Sequence, residues 1–169
     1  QPIDISSYSR NGSLIGNAYM DAGKFGNGVE LDGDGDYVKF PVGQQSIPDG
    51  SNFTISAWVY AKLTIHAPVD IFGTESGNNV EKRGYSLAVE NIGPKYAGRI
   101  GNSSKTTYIE CGDGLINPNQ WDNLVMTFDG TTLLCYKNNL VGGSRIVSND
   151  LTGIYPNSSL ADTELIGAD

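Results

Sequence analysis

The segment from Phe53 to Ala61 alternates strictly, and this alternation limits the possible folds of the chain more than any other feature. Residues two positions apart point to the same face of a β-strand. One predicted face packs in a core and carries Phe53, Ile55, Ala57, Val59 and Ala61. The other suits a partly open sheet surface and carries Thr54, Ser56, Trp58 and Tyr60.

Further strands are predicted along the rest of the chain. Residues 121–128 form a strong strand candidate that ends at the hairpin signal Asp129-Gly130. Residues 133–137 are the candidate for the second strand of this hairpin. Asn138-Asn139 can supply the next turn. Shorter strand candidates lie at 37–40, 69–72, 85–89, 99–101, 106–111, 145–147 and 164–166. Because helical periodicity is absent from the sequence, we expect an all-β antiparallel sandwich or jelly roll, with residues 1–169 forming one domain.

The charge of the chain excludes one class of partner. A net charge of -8, with no compensating basic cluster, argues against nucleic acid, because a phosphate backbone would be repelled. An acidic surface suits cation binding or contact with neutral sugars, and it equally suits simple solvation. The sequence also lacks an apolar run as long as a membrane span.

Cysteines and glycosylation motifs bear on the compartment. Cys111 and Cys135 both fall in strand-like stretches, and they can form a disulfide if they lie side by side in one sheet. Two buried free thiols are the alternative. Four triplets fit the N-glycosylation pattern, at Asn11, Asn52, Asn102 and Asn157. Together the triplets favour an extracellular or cell-surface location.

Four ordered pieces resemble the laminin-G-like jelly-roll domains of the concanavalin A-like superfamily. They are GKFGNGVELDGDGDYVKF, SNFTISAWVY, NQWDNLVMTFDGTTLLCYKNNLV and LADTELIGAD, and the opening IDISSYSRNGS is similar to the entry segment of such modules. The resemblance covers nearly the whole chain. It implies two antiparallel sheets of six or seven strands, usually in a secreted protein that binds carbohydrates, proteins or matrix components.

The resemblance also implies a strand before the opening segment and another after the closing one. Both terminal strands are expected to be missing here, which predicts a fragment of a longer chain or a sandwich completed by a strand from another copy.

Acidic residues suggest a calcium site. Asp32, Asp34 and Asp36 form a DxDxD run, and such a run can supply several of the six to eight oxygen ligands that calcium takes. Calcium sites are frequent in the superfamily, so we expect a structural calcium near these residues or Asp4. The alternative is an ordinary Gly-Asp hairpin turn.

Catalytic patterns are incomplete. Glu30 and Asp32 resemble the start of the E-x-D-x-x-E strand motif of glucan hydrolases, but Gly35 replaces the third carboxylate. His66 is the single histidine, and no local orienting group accompanies it. We therefore expect a non-enzymatic protein.

Aromatic side chains are the candidates for ligand contact. A ring can cover the apolar face of a sugar while neighbouring polar side chains bind its hydroxyls. The candidate ligand-binding residues are Trp58, Tyr60, Tyr85, Tyr96 and Arg99, with Tyr96 and Arg99 expected as an exposed pair in a turn-rich segment. Ordinary packing in the sandwich is the alternative for Trp58 and Trp121.

These features predict an extracellular binding or adhesion module for glycan or cell-surface material, including cell-surface protein. Two alternatives follow: a structural subunit that assembles with copies of itself by strand exchange, and an accessory carbohydrate-binding domain of a polysaccharide-degrading enzyme.

Overall fold

A computed structural model describes residues 1–41, 47, 52–62, 69–74, 84–90, 93–101, 106–146 and 164–167. Within these residues the chain forms strands and turns and contains no helix. The strands are β1 (Ser13–Ile15), β2 (Tyr19–Ala22), β3 (Asn27–Glu30), β4 (Tyr37–Lys39), β5 (Phe53–Tyr60), β6 (Val69–Thr74), β7 (Gly84–Glu90), β8 (Lys95–Gly101), β9 (Thr106–Glu110), β10 (Trp121–Phe128), β11 (Thr132–Lys137), β12 (Leu140–Ile146) and β13 (Glu164–Ile166).

The strands form two main sheets and one hairpin. A seven-stranded sheet has the order β1-β4-β13-β6-β7-β8-β9, and a four-stranded sheet has the order β12-β11-β10-β5. Among the described strands, β2 and β3 pair only with each other. Every described strand pair is antiparallel. This architecture confirms the predicted antiparallel sandwich.

The core lies between the two main sheets. Strand β5 shows the predicted alternation, with Ile55 buried and both Trp58 and Tyr60 about two-fifths exposed, at 42% and 41%. β10 and β11 alternate in the same way. Their inward side chains meet those of β7 and β8 in a cluster that includes Leu87, Ile100, Leu124, Met126 and Leu133, all fully buried. Burying each such side chain contributes roughly 1.5–3 kcal/mol.

Two hairpin turns form where the sequence predicts them. The Asp129 carboxylate accepts hydrogen bonds from the backbone N–H groups of Thr131, at 2.9 Å, and Thr132, at 2.6 Å. Asn138 and Asn139 both have positive φ, 51° and 68°, as a type I′ turn requires. Asn tolerates this conformation better than most residues, so the Asn-Asn pair connects β11 to β12.

Three strands near the start of the chain were not predicted from the sequence. β1, β2 and β3 have only three or four residues each, and β2 and β3 include Asp, Asn or Gly, which are rare in strands. Their pairing with β4 or with each other stabilises them despite weak local preference.

The disulfide has a different setting from the one expected. Cys111 and Cys135 are bonded, with Cα atoms 4.5 Å apart. Cys111 directly follows β9 of the seven-stranded sheet, whereas Cys135 lies in β11 of the four-stranded sheet. The disulfide therefore forms without the same-sheet arrangement that the sequence suggested for it, and it crosses the core and joins the two sheets.

Candidate functional site

The five predicted ligand-binding residues occupy three separate places. Trp58 and Tyr60 lie on the outer face of the four-stranded sheet, and Arg99 lies on the outer face of the seven-stranded sheet. Tyr85 and Tyr96 lie between the sheets. The structure therefore does not bring the five side chains together in one site.

Tyr85 and Tyr96 are core residues, and their prediction as surface ligand contacts is wrong. They are 3% and 1% exposed. The Tyr85 hydroxyl donates a hydrogen bond to the buried carboxylate of Glu164. Desolvation raises the pKa of both phenols, and the neighbouring carboxylates, Glu164 beside Tyr85 and Asp122 beside Tyr96, raise it further. A sugar in solvent cannot reach either ring.

The error at Tyr96 has a clear physical cause. Among the described residues, Gly93 and Pro94 lie in a turn, and β8 begins immediately after them at Lys95. β8 then pairs along its whole length with β7, from Lys95 opposite Glu90 to Gly101 opposite Gly84. The predicted exposed segment is therefore a central strand.

We define the aromatic face as the outward side chains Trp58, Tyr60 and Trp121 together with Phe25 of the β2–β3 hairpin. The Phe25 ring packs edge-on against Trp58, with centroids 5.6 Å apart, and Lys24 Nζ lies 5.2 Å from the Trp58 centroid. Tyr60 and Trp121 are cross-strand neighbours with centroids 5.4 Å apart. Trp58 and Tyr60 are thus accessible, as predicted for an open sheet face, but one side of Trp58 is already occupied.

The opposite surface of the sandwich is polar. We define the polar face as the outward side chains of β6 to β9 that surround Arg99, namely Asp70, Ser86, Glu90, Lys95, Arg99, Tyr108 and Glu110. Pairing in register brings these residues together, since Ser86 and Tyr108 flank Arg99 on the two adjacent strands.

Small residues form the floor of the polar face. Ala88 and Ala97 are fully buried although they point outward. At Gly73 a Cβ atom would lie only 2.7 Å from the Ser86 Cβ and 3.3 Å from Asp70 Oδ2. Glycine at this position therefore lets the Asp70 side chain lie close over the sheet.

Arg99 is the centre of the polar face. Its Nε donates to Glu90 Oε1 at 2.8 Å, and its Nη1 donates to Asp70 Oδ1 at 3.4 Å. All three side chains remain 27–30% exposed, so solvent and ligands can reach them. Burial raises the pKa of the Asp70 carboxyl, and the Arg99 guanidinium and the Ser86 hydroxyl lower it only in part.

The rim of the polar face carries a second ion pair and a ring. Lys95 Nζ contacts both carboxylate oxygens of Glu110, at 2.8 and 3.0 Å. Tyr108 is about half exposed beside Arg99. Fixed charged groups can orient the hydroxyl groups of a ligand, while an exposed ring beside them covers an apolar patch of the same ligand.

Sequence reasoning found Arg99 and missed its partners. Asp70, Glu90, Tyr108 and Glu110 lie on three other strands, and only the strand register makes them neighbours. A weak signal was available in β7, where every second residue, Ser86 and Ala88, is small. Such a row is typical of a sheet face over which larger groups lie.

The predicted calcium residues divide between two turns. Asp4 accepts hydrogen bonds from the backbone N–H groups of Ser6, at 2.8 Å, and Arg10, at 2.7 Å, which lower its pKa. Asp32 accepts from the Asn17 amide at 2.6 Å and from the Asp34 N–H at 2.9 Å, and these bonds lower its pKa. Asp4 therefore has its partners within its own turn, whereas Asp32 bonds to its own turn and to Asn17 of the β1–β2 turn.

Asp36 differs from the other acidic residues. It is 2% exposed, its Oδ2 accepts from the Asp32 N–H at 2.7 Å, and its Oδ1 has no hydrogen-bond partner among the described residues. The N–H of Asp32 lowers the pKa of Asp36, but burial and the nearby carboxylates of Asp32 and Asp34 outweigh it and raise the pKa overall.

Within the described part of the chain, no three His, Cys, Asp or Glu residues form a group that could hold a metal ion. A calcium ion at this loop would need backbone carbonyls and water for most of its ligands. Calcium stays a prediction.

The remaining predicted positions are less informative. Asn11 and Asn52 are exposed, whereas Asn102, Asn157 and His66 lie outside the described residues. A helix long and apolar enough to cross a membrane is not found in the described segments.

Comparison with known proteins identifies the family. Residues 32–169 match a laminin-G-type family of the concanavalin A-like lectin/glucanases superfamily. The chain belongs to this superfamily. The predicted resemblance is thereby confirmed. A search of curated proteins finds no match to this member of the superfamily.

Two solved structures share its fold. Domain 4 of AbnA, an extracellular GH43 arabinanase from Geobacillus stearothermophilus in complex with arabinotriose, matches with a TM-score of 0.65 and 16% identity, over 94% of this chain and 74% of that chain. The enzymatically active domain of bacteriophage CBA120 tailspike protein 2 matches with a TM-score of 0.63 and 11% identity, over 99% of this chain and 27% of that chain. Carbohydrate-binding module CBM66 from Bacillus subtilis has a TM-score of 0.49 and 16% identity, over 93% of this chain and 88% of that chain.

Proposed function

We propose that this chain is an extracellular, non-catalytic carbohydrate-binding module whose ligand site is the polar face. The observation that carries the proposal is the placement of Arg99, which two carboxylates hold over a floor of small, buried residues. A side chain held in this way loses less conformational freedom when it binds a ligand.

The chemistry of the polar face suits sugar hydroxyls. Carboxylate oxygens of Asp70, Glu90 and Glu110 accept hydrogen bonds, and guanidinium N–H groups of Arg99 donate them. Hydrogen bonds to charged groups contribute more than those between neutral groups, about 1.5–3 kcal/mol. The exposed ring of Tyr108 can cover the apolar side of a sugar ring.

The superfamily and one structural relative support this class of ligand. Domain 4 of AbnA has the same fold and was solved with arabinotriose. This relationship also favours the possibility that the chain is an accessory domain of a polysaccharide-degrading enzyme.

The geometry of Arg99 favours binding over hydrolysis. A glycosidase places the scissile bond between two carboxyl groups. Here the Arg99 guanidinium contacts both Asp70 and Glu90, so these carboxylates already share a bound cation. We infer that the polar face holds sugars without cleaving them.

The Cys111–Cys135 disulfide and the exposed sequons at Asn11 and Asn52 support an extracellular location. Binding to a cell-surface protein stays a prediction.

A glycan array followed by calorimetry of two matched variants tests the proposal. Tyr108→Ala removes a ring from the polar face, and Trp58→Ala removes one from the aromatic face. We expect Tyr108→Ala to weaken glycan binding at least tenfold while Trp58→Ala retains affinity, with both melting temperatures measured as folding controls. The reverse pattern would place the site on the aromatic face, as the sequence predicted for Trp58 and Tyr60. An absence of glycan binding by the wild-type chain would refute the function.

A second candidate function is assembly through strand exchange, and strand β5 favours it. Within the described residues, β5 lies at the edge of the four-stranded sheet, and its eight residues carry no charge and no proline. Natural edge strands usually carry a charged residue or a proline, which protects them against pairing with another chain. Size-exclusion chromatography with light scattering distinguishes the candidates: Ser56→Pro should abolish oligomers that pair through β5, whereas a glycan-binding monomer would contradict this role.

A further inference from the structure

We propose that the polar face selects uncharged sugars and discriminates against sugars that carry carboxylate or sulfate groups. This inference rests on the proposed function, since it names the ligand class of the same site. It is carried by the pairing of the charged side chains on the polar face.

The polar face contains three carboxylates and two cations. The carboxylates belong to Asp70, Glu90 and Glu110, and the cations belong to Lys95 and Arg99. Both cations already have carboxylate partners, Lys95 with Glu110 and Arg99 with Glu90 and Asp70. The described side chains of the polar face therefore carry one excess negative charge and no uncommitted cation.

An anionic sugar would meet repulsion at this surface. A sugar carboxylate that binds Arg99 or Lys95 would lie beside a carboxylate that already pairs with that cation. The excess charge would repel it at short range, where screening by salt is weakest. The net charge of the whole chain, -8, adds a long-range repulsion of the same sign.

A neutral sugar avoids both penalties. Its hydroxyl groups can donate to the outer oxygens of Asp70, Glu90 and Glu110 without breaking the ion pairs. Arg99 uses its Nε and one Nη1 hydrogen bond within the cluster, and its remaining N–H groups can donate to a sugar oxygen. Both directions of hydrogen bonding are thus available to a ligand with adjacent hydroxyls.

Paired ligands provide the test. The strongest neutral oligosaccharide from the array is compared by calorimetry with the same oligosaccharide oxidised at its primary hydroxyl groups to uronates. We expect at least tenfold weaker binding of the uronate form, about 1.4 kcal/mol. Asp70→Asn and Glu90→Gln, which keep the side-chain shapes, should each reduce this ratio. Asp21→Asn removes the same charge from the β2–β3 hairpin and should leave the ratio unchanged.

The outcomes separate the two proposals. Equal or tighter binding of the uronate form would overturn the selectivity while leaving carbohydrate binding intact. A ratio that responds to Asp21→Asn as strongly as to Asp70→Asn would assign the discrimination to the total charge of the chain, and would also overturn it. Failure of the neutral sugar to bind would refute the proposed function itself.

Discussion

Tyr96 and Arg99 lie three positions apart on strand β8 and point to opposite sides of the seven-stranded sheet. Tyr96 is fully buried against the core, while Arg99 contacts Glu90 and Asp70 on the outer surface. An odd separation along a strand always produces this result, because the side-chain period is two. The two residues therefore serve separate roles, one in stability and one in the proposed site.

Substitutions at these two positions should have contrasting effects. Tyr96→Ala removes a fully buried ring, and we expect it to lower the free energy of unfolding by about 3–5 kcal/mol. Arg99→Gln breaks two partly exposed ion pairs and should cost about 1 kcal/mol or less for each. Urea unfolding measures both values, and equal losses would contradict the separation of roles. Glycan affinity should fall in Arg99→Gln while its melting temperature is nearly retained.

Reduction of the disulfide should destabilise the sandwich substantially. The bond joins residues 24 positions apart, and closing a loop of this length stabilises the folded state by about 3.5 kcal/mol. Replacing both Cys111 and Cys135 by Ala should lower the free energy of unfolding by a similar amount. Unfolding of the wild-type chain with and without a reductant checks the value. An unchanged denaturation midpoint would show that the bond contributes little.

High pH should destabilise the chain through its buried tyrosines. The folded-state pKa of Tyr85 is raised above the ordinary value of 10.0, by burial first and by Glu164 second. A raised folded-state pKa gives a contribution to stability that is complete below about pH 10 and is lost as the pH increases above it. Urea unfolding between pH 8 and 11 should therefore show stability that begins to fall near the unfolded-state pKa of 10.0. Tyr85→Phe should make this fall less steep, whereas an unchanged slope would argue against a role for Tyr85.

Low pH should weaken the turn between β10 and β11. The N–H groups of Thr132 and Thr131 lower the pKa of Asp129 below the ordinary value of 3.8. A lowered folded-state pKa gives stability that is present above the unfolded-state pKa and is lost as the pH falls through the folded-state pKa. Asp129→Ala should be less stable than the wild type at pH 7. The difference should shrink in unfolding measurements below pH 4, and a difference independent of pH would contradict the assignment.

Calcium should act through Asp36 if the acidic loop binds it as predicted. The buried Asp36 Oδ1 is the one oxygen of this carboxylate without a partner in the described segments, so it is the ligand that an ion would use. We expect added calcium to raise the melting temperature of the wild type and to have no effect on Asp36→Asn. Asp21→Asn provides a control with the same change of charge. An unchanged melting temperature with calcium and with excess chelator would reject the prediction.

The sequence predicted local features better than the site. The faces of Trp58 and Ile55 follow from alternation, and the Asn138-Asn139 turn follows from the tolerance of Asn for positive φ, so both could be predicted. The polar face could not, because Arg99 meets Glu90 and Asp70 from 9 and 29 positions away. These contacts depend on strand register and on the order of β6, β7 and β8 in the sheet, and neither can be read from a short segment of sequence.

The disulfide also has a mechanical consequence if the polar face binds a polysaccharide as proposed. In the described structure β9 is the last strand of its sheet, and it presents Tyr108 and Glu110 at the rim of the polar face. Tension on a bound polymer would tend to peel such a terminal strand away from β8, one hydrogen bond after another. Cys111 follows this strand directly and is covalently fixed to β11 across the core. The applied force is therefore shared between both layers of the sandwich, and peeling stops at the bond.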